Sequence, residues 1–136
     1  MQLTKKASYG LIAAVELARA PEGETRSAVW IAEQYDLPVA FIEKILHQLR
    51  RAGLVASRQG RTGGYMLRLP ARRVSVRLVL EALNEPLDIV GCLGNGPSCR
   101  LTGVCPTQGA WRTVNGRLRD LLDTISLADL RGGAPT

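Results

Sequence analysis

The chain carries three cysteines, Cys92, Cys99 and Cys105, all within the stretch GCLGNGPSCRLTGVCP, residues 91–106. Thiolates are soft ligands that select zinc, copper(I) or iron–sulfur clusters. Structural zinc normally takes four protein ligands with close Cys-x-x-Cys pairs. Here six and then five residues separate successive cysteines, so three thiolates can converge on a larger object. Gly94, Gly96 and Gly103 let backbone N–H groups turn toward the sulfurs and tune a cluster's potential. An odd number of thiols cannot pair off within one chain, and clustered thiols kept reduced are more often metal ligands or redox groups than disulfides. Cys92, Cys99 and Cys105 are therefore read as ligands of an iron–sulfur cluster. Zinc, a bare thiol switch and three free thiols in a loop are the alternatives.

The second chemical feature is a block of charge. The 136 residues have a net charge of +6, and its placement says more than its size. From Lys44 to Leu80 there are nine Lys or Arg and no Asp or Glu, whereas residues 1–43 hold four basic and six acidic groups and residues 81–136 hold five and six. A run this long and this pure is read as a surface for a polyanion rather than a solvated face. Arginine dominates it, which suits phosphate forks and guanine edges.

The elements that must carry these groups follow from periodicity and capping. Thr4 can cap a helix to about Ala20, with Leu11, Ile12, Val15 and Ala18 on one face. Ser27 can cap a short helix through Tyr35 that buries Ile31 and Ala32. After Asp36-Leu37-Pro38, a third helix over about 38–52 turns Ile42, Ile45, Leu46 and Leu49 inward and ends at Gly53. Ala40, Lys44, His47 and Arg51 share its outer face, so the trio reads as a helix-turn-helix. Residues 54–56 and 65–69 read as two strands, with Gly60, Gly63 and Gly64 at a hairpin tip flanked by Arg58 and Arg61. This glycine loop joins strand to strand, which rules out a P-loop or dinucleotide motif. It reads as a wing whose arginines reach a minor groove or a phosphate.

Ser75 starts a helix to about Asn84, and after the cysteine loop a helix over about 108–125 aligns Trp111, Val114, Leu118, Leu121, Leu122 and Ile125. A winged domain is complete without that last helix. Its stripe is expected to pair with the same helix of a second chain, because duplex DNA rewards two-fold dimers; folding back on its own domain is the alternative. The fold class is thus mainly α, a winged helix-turn-helix with a two-stranded wing and a long C-terminal dimerisation helix. The expected divisions are a DNA-binding region over 1–73, a connecting helix over 74–90, the cysteine loop over 91–107, the dimerisation helix over 108–130 and a disordered tail over 131–136.

MQLTKKASYGL at the start, FIEKILHQLRRAGLVASRQGRTGGYML in the middle and CPTQGAW…ISLADL at the end resemble the IscR/NsrR/RirA (Rrf) group of bacterial winged-helix regulators. The resemblance spans nearly the whole chain, and three loop cysteines narrow it to the members that hold iron–sulfur clusters. It implies a homodimer on a two-fold operator that senses iron–sulfur status, iron or nitric oxide. It also implies DNA contacts from Ser27, Val39, Ala40, Phe41, Lys44, His47 and Arg51, and from Arg58, Gln59, Arg61 and Thr62 of the wing. The chain departs from the group at several points. Gln108 replaces a histidine ligand, Ser8 replaces an acidic ligand, and the first cysteine gap is one residue longer. Pro38, Val39 and Ala40 stand where hydroxyl residues are usual, and Gln59 where an arginine often enters the minor groove. With neither Gln108 nor Ser8 a strong iron ligand, a four-iron cluster with one incompletely ligated iron is favoured and a two-iron cluster is the alternative. Glu43 reads either as an element that penalises wrong bases or as the partner of His47 or Lys44.

An enzyme is disfavoured by scarcity. His47 is the chain's one histidine, and no nucleophile–base spacing stands out. No apolar run approaches the roughly 20 residues of a membrane span, and no signal peptide is apparent, so a cytoplasmic protein without membrane or small-molecule substrate is expected. Two other classes stay open: a cluster-free winged regulator using thiol oxidation or a partner protein, and a cluster carrier or electron-transfer protein docking an acidic partner through its basic block.

Overall fold

Helix α1 (Lys5–Arg19) begins where the Thr4 hydroxyl accepts the Ala7 N–H at 3.3 Å. It comes from a computed structural model that describes residues 3–61, 63–90, 93, 100–101 and 103–132. The deeply buried face of α1 is Ala7, Gly10, Ala13, Ala14 and Leu17. This corrects the expected stripe in part: Ala18 is buried as expected, but Leu11 and Val15 lie at the margin of the core and Ile12 is half-buried. The reason is that α1 is the central helix, packed by α3, α4, α6 and the wing. Small residues let those neighbours approach. A Cβ on Gly10 would lie 2.2 Å from the Cδ1 of fully buried Leu83.

Helix α2 (Ala28–Tyr35) is capped by Ser27, whose hydroxyl accepts the Trp30 N–H at 3.0 Å. Asp36 takes a left-handed conformation (φ 52°), and the chain turns at once into α3 (Val39–Arg51). Ile42, Ile45, Leu46 and Leu49 are each no more than 1% exposed. At about 1.5–3 kcal/mol per buried branched side chain, this face alone holds α3 firmly against α1 and α2. Strands β1 (Val55–Arg58) and β2 (Gly64–Leu67) pair antiparallel in the register Val55↔Leu67 to Arg58↔Gly64. They sit nearer the tip than expected.

A single 3-10 turn (Ala71–Arg73) leads to α4 (Val76–Ala82), capped by Ser75. After the cysteine loop come α5 (Gln108–Asp123) and α6 (Leu127–Leu130). Ser126 and Asp129 close α6 with a capping box. The chain's end is stitched back to the winged domain: the Val76 N–H donates to Ile125 O (2.8 Å) and the Leu127 N–H to Val74 O (2.9 Å). Leu127 is fully buried in the main core. A second, smaller cluster of Ala7, Val76, Leu80 and Leu87 lies between α1, α4 and α5. Among the described residues no helix is long and apolar enough to cross a membrane.

Candidate nucleic-acid interface and cysteine loop

Helix α3 presents Ala40, Lys44, His47 and Arg51 to solvent, as its period requires. Val39 and Phe41 are turned partly inward, and Phe41 meets Tyr9 edge-on at 5.6 Å. Their side chains have a packing role whatever else they touch. Glu43 is exposed and makes no ion pair with Lys44 or His47 among the described residues, so the local-partner reading fails. Adjacent positions on a helix do not face one another, and the i,i+4 contact with His47 is not formed.

At the wing, Arg58, Gln59 and Arg61 are exposed, while Thr62 lies outside the described residues. Arg58 is partly engaged: its guanidinium donates to Gly23 O at 3.1 Å, tying the wing to the α1–α2 connection. Ser27 is half-buried and already spends its oxygen on the α2 cap. Of the basic residues between Lys44 and Leu80, only Arg77 meets a carboxylate among the described residues, Glu81 at 2.9 Å. The basic block is not neutralised from within, so its field is left for an external anion.

Cys105 stands two residues before the end of the loop, half-buried, with its sulfur 3.3 Å from Thr107 Oγ1. The Thr107 hydroxyl, then the Thr107 backbone N–H, lower its thiol pKa from the ordinary range, and the Gln108 N–H adds to them. Hydrogen bonds to sulfur at the start of α5 favour the thiolate, the form that nucleophiles and metal ligands use. Cys92 and Cys99 lie outside the described residues. Among the described residues no group of three His, Cys, Asp or Glu gathers around a metal position. Gln108 is the first residue of α5, and Ser8 is exposed on α1.

The segment entering the loop is fastened to α5. Buried Asn115 accepts the Ile89 N–H at 2.9 Å and donates to Asp88 at 3.1 Å, and Arg119 reaches the same Asp88 oxygen at 2.9 Å. At the other side of the winged domain Glu16, 5% exposed, takes hydrogen bonds from Arg19 (2.9 Å) and the Tyr35 hydroxyl. Thr4 also donates to buried Glu85, joining the start of α1 to the end of α4. Of these polar residues the sequence points only to Thr4, and to it as a helix cap rather than as a partner of Glu85. A polar residue interrupting an apolar stripe was the one available signal for Asn115.

The stripe of α5 divides. Trp111, Val114 and Leu121 are 40%, 46% and 57% exposed, and Leu118 is half-buried. Leu122 and Ile125 instead pack on the second cluster of their own chain. For these two the folding-back alternative holds, because the Val76–Ile125 backbone bond pins the end of α5 to α4.

This architecture has known counterparts. The family model described as Rrf2, iron-dependent transcriptional regulator, matches residues 3–132. The chain belongs to the Rrf2 family. Among its relatives, IscR of Aliivibrio salmonicida, an HTH-type transcriptional regulator, is 36% identical over 131 residues, covering 96% of this chain and 77% of that one. IscR of T. potens superposes with a TM-score of 0.73 at 29% identity, over 96% of this chain and 85% of that one. The oxidised form of Staphylococcus aureus CymR superposes with a TM-score of 0.77 at 30% identity, each chain covered in full. The mainly helical fold with its two-stranded wing is therefore that of an Rrf2 winged-helix regulator, and DNA-binding transcriptional regulation is the activity of the proteins it resembles.

Proposed function

We propose that this Rrf2 protein acts in the cytoplasm as a homodimer on a two-fold operator, with affinity set by an iron–sulfur cluster on Cys92, Cys99 and Cys105. The observation that carries the reading is the meeting of thiol chemistry and leverage at one segment. The cysteine loop is entered from α4, which belongs to the winged domain, and left through α5, whose exposed Trp111, Val114 and Leu121 suit a partner helix. When bound, a cluster supplies a state that iron supply, oxidation or nitric oxide can change. Cys105, its thiolate favoured by Thr107, would hold it at the start of α5. Asn115 and Asp88 keep the other arm of the loop on the same helix. A change in the loop then alters how α5 carries the winged domain, and so the spacing of the two α3 helices in a dimer. Lys44, His47 and Arg51 of α3 read the major groove, while Arg58, Gln59 and Arg61 approach phosphate or minor groove. Three cysteines without a further strong protein ligand favour a four-iron cluster, with a two-iron cluster as the alternative.

The test is anaerobic reconstitution with iron and sulfide of the wild type and of a variant with all three cysteines changed to alanine. Cluster absorbance and a shift in operator affinity are expected only in the wild type. No absorbance, or equal affinity of loaded and unloaded protein, refutes the sensor. A thiol switch is the second reading, favoured by the lowered Cys105 pKa. It predicts instead an oxidant-dependent change in binding that survives without iron.

A further inference from the structure

Beneath the wing lies a cleft of about 530 Å³, bounded by the α1–α2 connection, the start of α2 and the wing tip. Arg26, Arg58 and Arg61 line it together with Ser27 and Trp30, against a single acidic lining residue, Glu24. No carboxylate pairs with any of the three arginines among the described residues. Arg26 is not among the expected DNA-contacting residues, yet both its side chain and its backbone are held. Its guanidinium lies over the Trp30 ring, 4.5 Å from the centroid. Its backbone is clamped to β2 in both directions, Arg26 N–H to Tyr65 O at 2.9 Å and Tyr65 N–H to Arg26 O at 2.8 Å. Gly64 makes that approach possible, because a Cβ there would sit 2.7 Å from Arg26 O. Its Nε is buried and has no hydrogen-bond partner among the described residues.

A buried charged donor without an acceptor is costly in a finished structure. Arg26 as a whole is only half-buried, and its other guanidinium N–H groups are left for an oxygen of opposite charge. An arginine stacked on an indole has lost its rotamer freedom already and presents a planar fork suited to phosphate. We propose that Arg26 is a fixed phosphate anchor, holding the sugar–phosphate backbone in this cleft alongside the wing arginines. The proposal rests on the DNA-binding reading and deepens it: contact here sets the position of the wing on the duplex and carries no base preference.

The test compares the full-length wild type with Arg26→Gln and Arg26→Lys on a mixed-sequence duplex long enough for two half-sites, over a salt series. Arg26→Gln should weaken binding about tenfold and lower the slope of log affinity against log salt by about one. Arg26→Lys keeps the charge but not the fork, so the slope should stay while affinity falls several-fold. Wild-type binding with an unchanged slope and affinity in Arg26→Gln overturns the anchor alone. A wild type that binds no duplex at all overturns the DNA-binding reading and the anchor with it. Should Arg26→Gln fail to fold, Arg26→Lys decides, since undiminished affinity in that variant also overturns the proposal.

Discussion

Replacing Asn115 by alanine should free the segment that leads into the cysteine loop. Asn115 is 7% exposed, accepts the Ile89 N–H at 2.9 Å and donates to Asp88 at 3.1 Å. Truncation strands a part-buried backbone donor and takes one of two donors from a carboxylate. A stranded buried donor costs about 1–3 kcal/mol, and a hydrogen bond to a charged group contributes about 1.5–3 kcal/mol. Asp88 keeps Arg119 and its side chain is 19% exposed, so the second figure is discounted by solvent screening. The sum is about 2–4 kcal/mol, or a melting midpoint lowered by about 10 °C for a domain of this size. Asn115→Asp makes a sharper comparison. It keeps an acceptor for Ile89 but opposes one carboxylate with another, so it should cost at least as much as alanine near neutral pH. Urea titration gives the stability, and hydrogen exchange at the Ile89 amide gives the local effect. Alanine that costs less than about 1 kcal/mol, with Ile89 still protected from exchange, would refute the reasoning, because the expected penalties come from these two bonds.

Two further outcomes follow from the same geometry. In the proposed dimer, Leu121→Glu, at a 57% exposed position, should leave the fold intact and give monomers in sedimentation, whereas Leu122→Glu should lower the melting temperature because Leu122 packs on its own chain. The hydrogen bond to Glu16 first, then burial, raises the Tyr35 pKa, so the stabilisation is full below the ordinary tyrosine pKa of about 10 and is lost as pH climbs through the raised value. Comparing Tyr35→Phe with the wild type by denaturation across that range should show their difference shrinking at the alkaline end.

The helices were legible because local rules decide them. Thr4, Ser27 and Ser75 cap α1, α2 and α4 as their types suggest, and the apolar period of α3 matches its buried face residue for residue. The face of α1 was misread for a physical reason. Hydrophobicity favours Leu11, Ile12 and Val15, but a helix packed by four other elements is buried most deeply along the side where its residues are smallest. The strand-like pairing of Arg26 with Tyr65 was invisible for another. A two-residue bridge has no period, and it joins positions almost forty apart in sequence. The division of α5 depends on the Val76–Ile125 backbone bond, which no pattern within α5 encodes.

The candidate site is legible in its chemistry and not in its coupling. Three thiols in one loop and nine basic residues without an acid announce themselves by type and count. What ties the flanks of the cysteine loop to the rest of the fold is a set of polar contacts between residues far apart in sequence: Thr4 with Glu85, and Asn115 with Asp88 and Ile89. Each lies at a junction between elements, where helical or strand period says nothing about the partner. Buried Asn115 and buried Glu85 anchor these contacts, so breaking them leaves a polar group with little solvent to replace the lost bond. In the proposed sensor, contacts of this kind, made or broken, would pass a change in the cysteine loop to the winged domain. In the proposed sensor, the coupling is therefore best sought at Asn115–Asp88 and Thr4–Glu85.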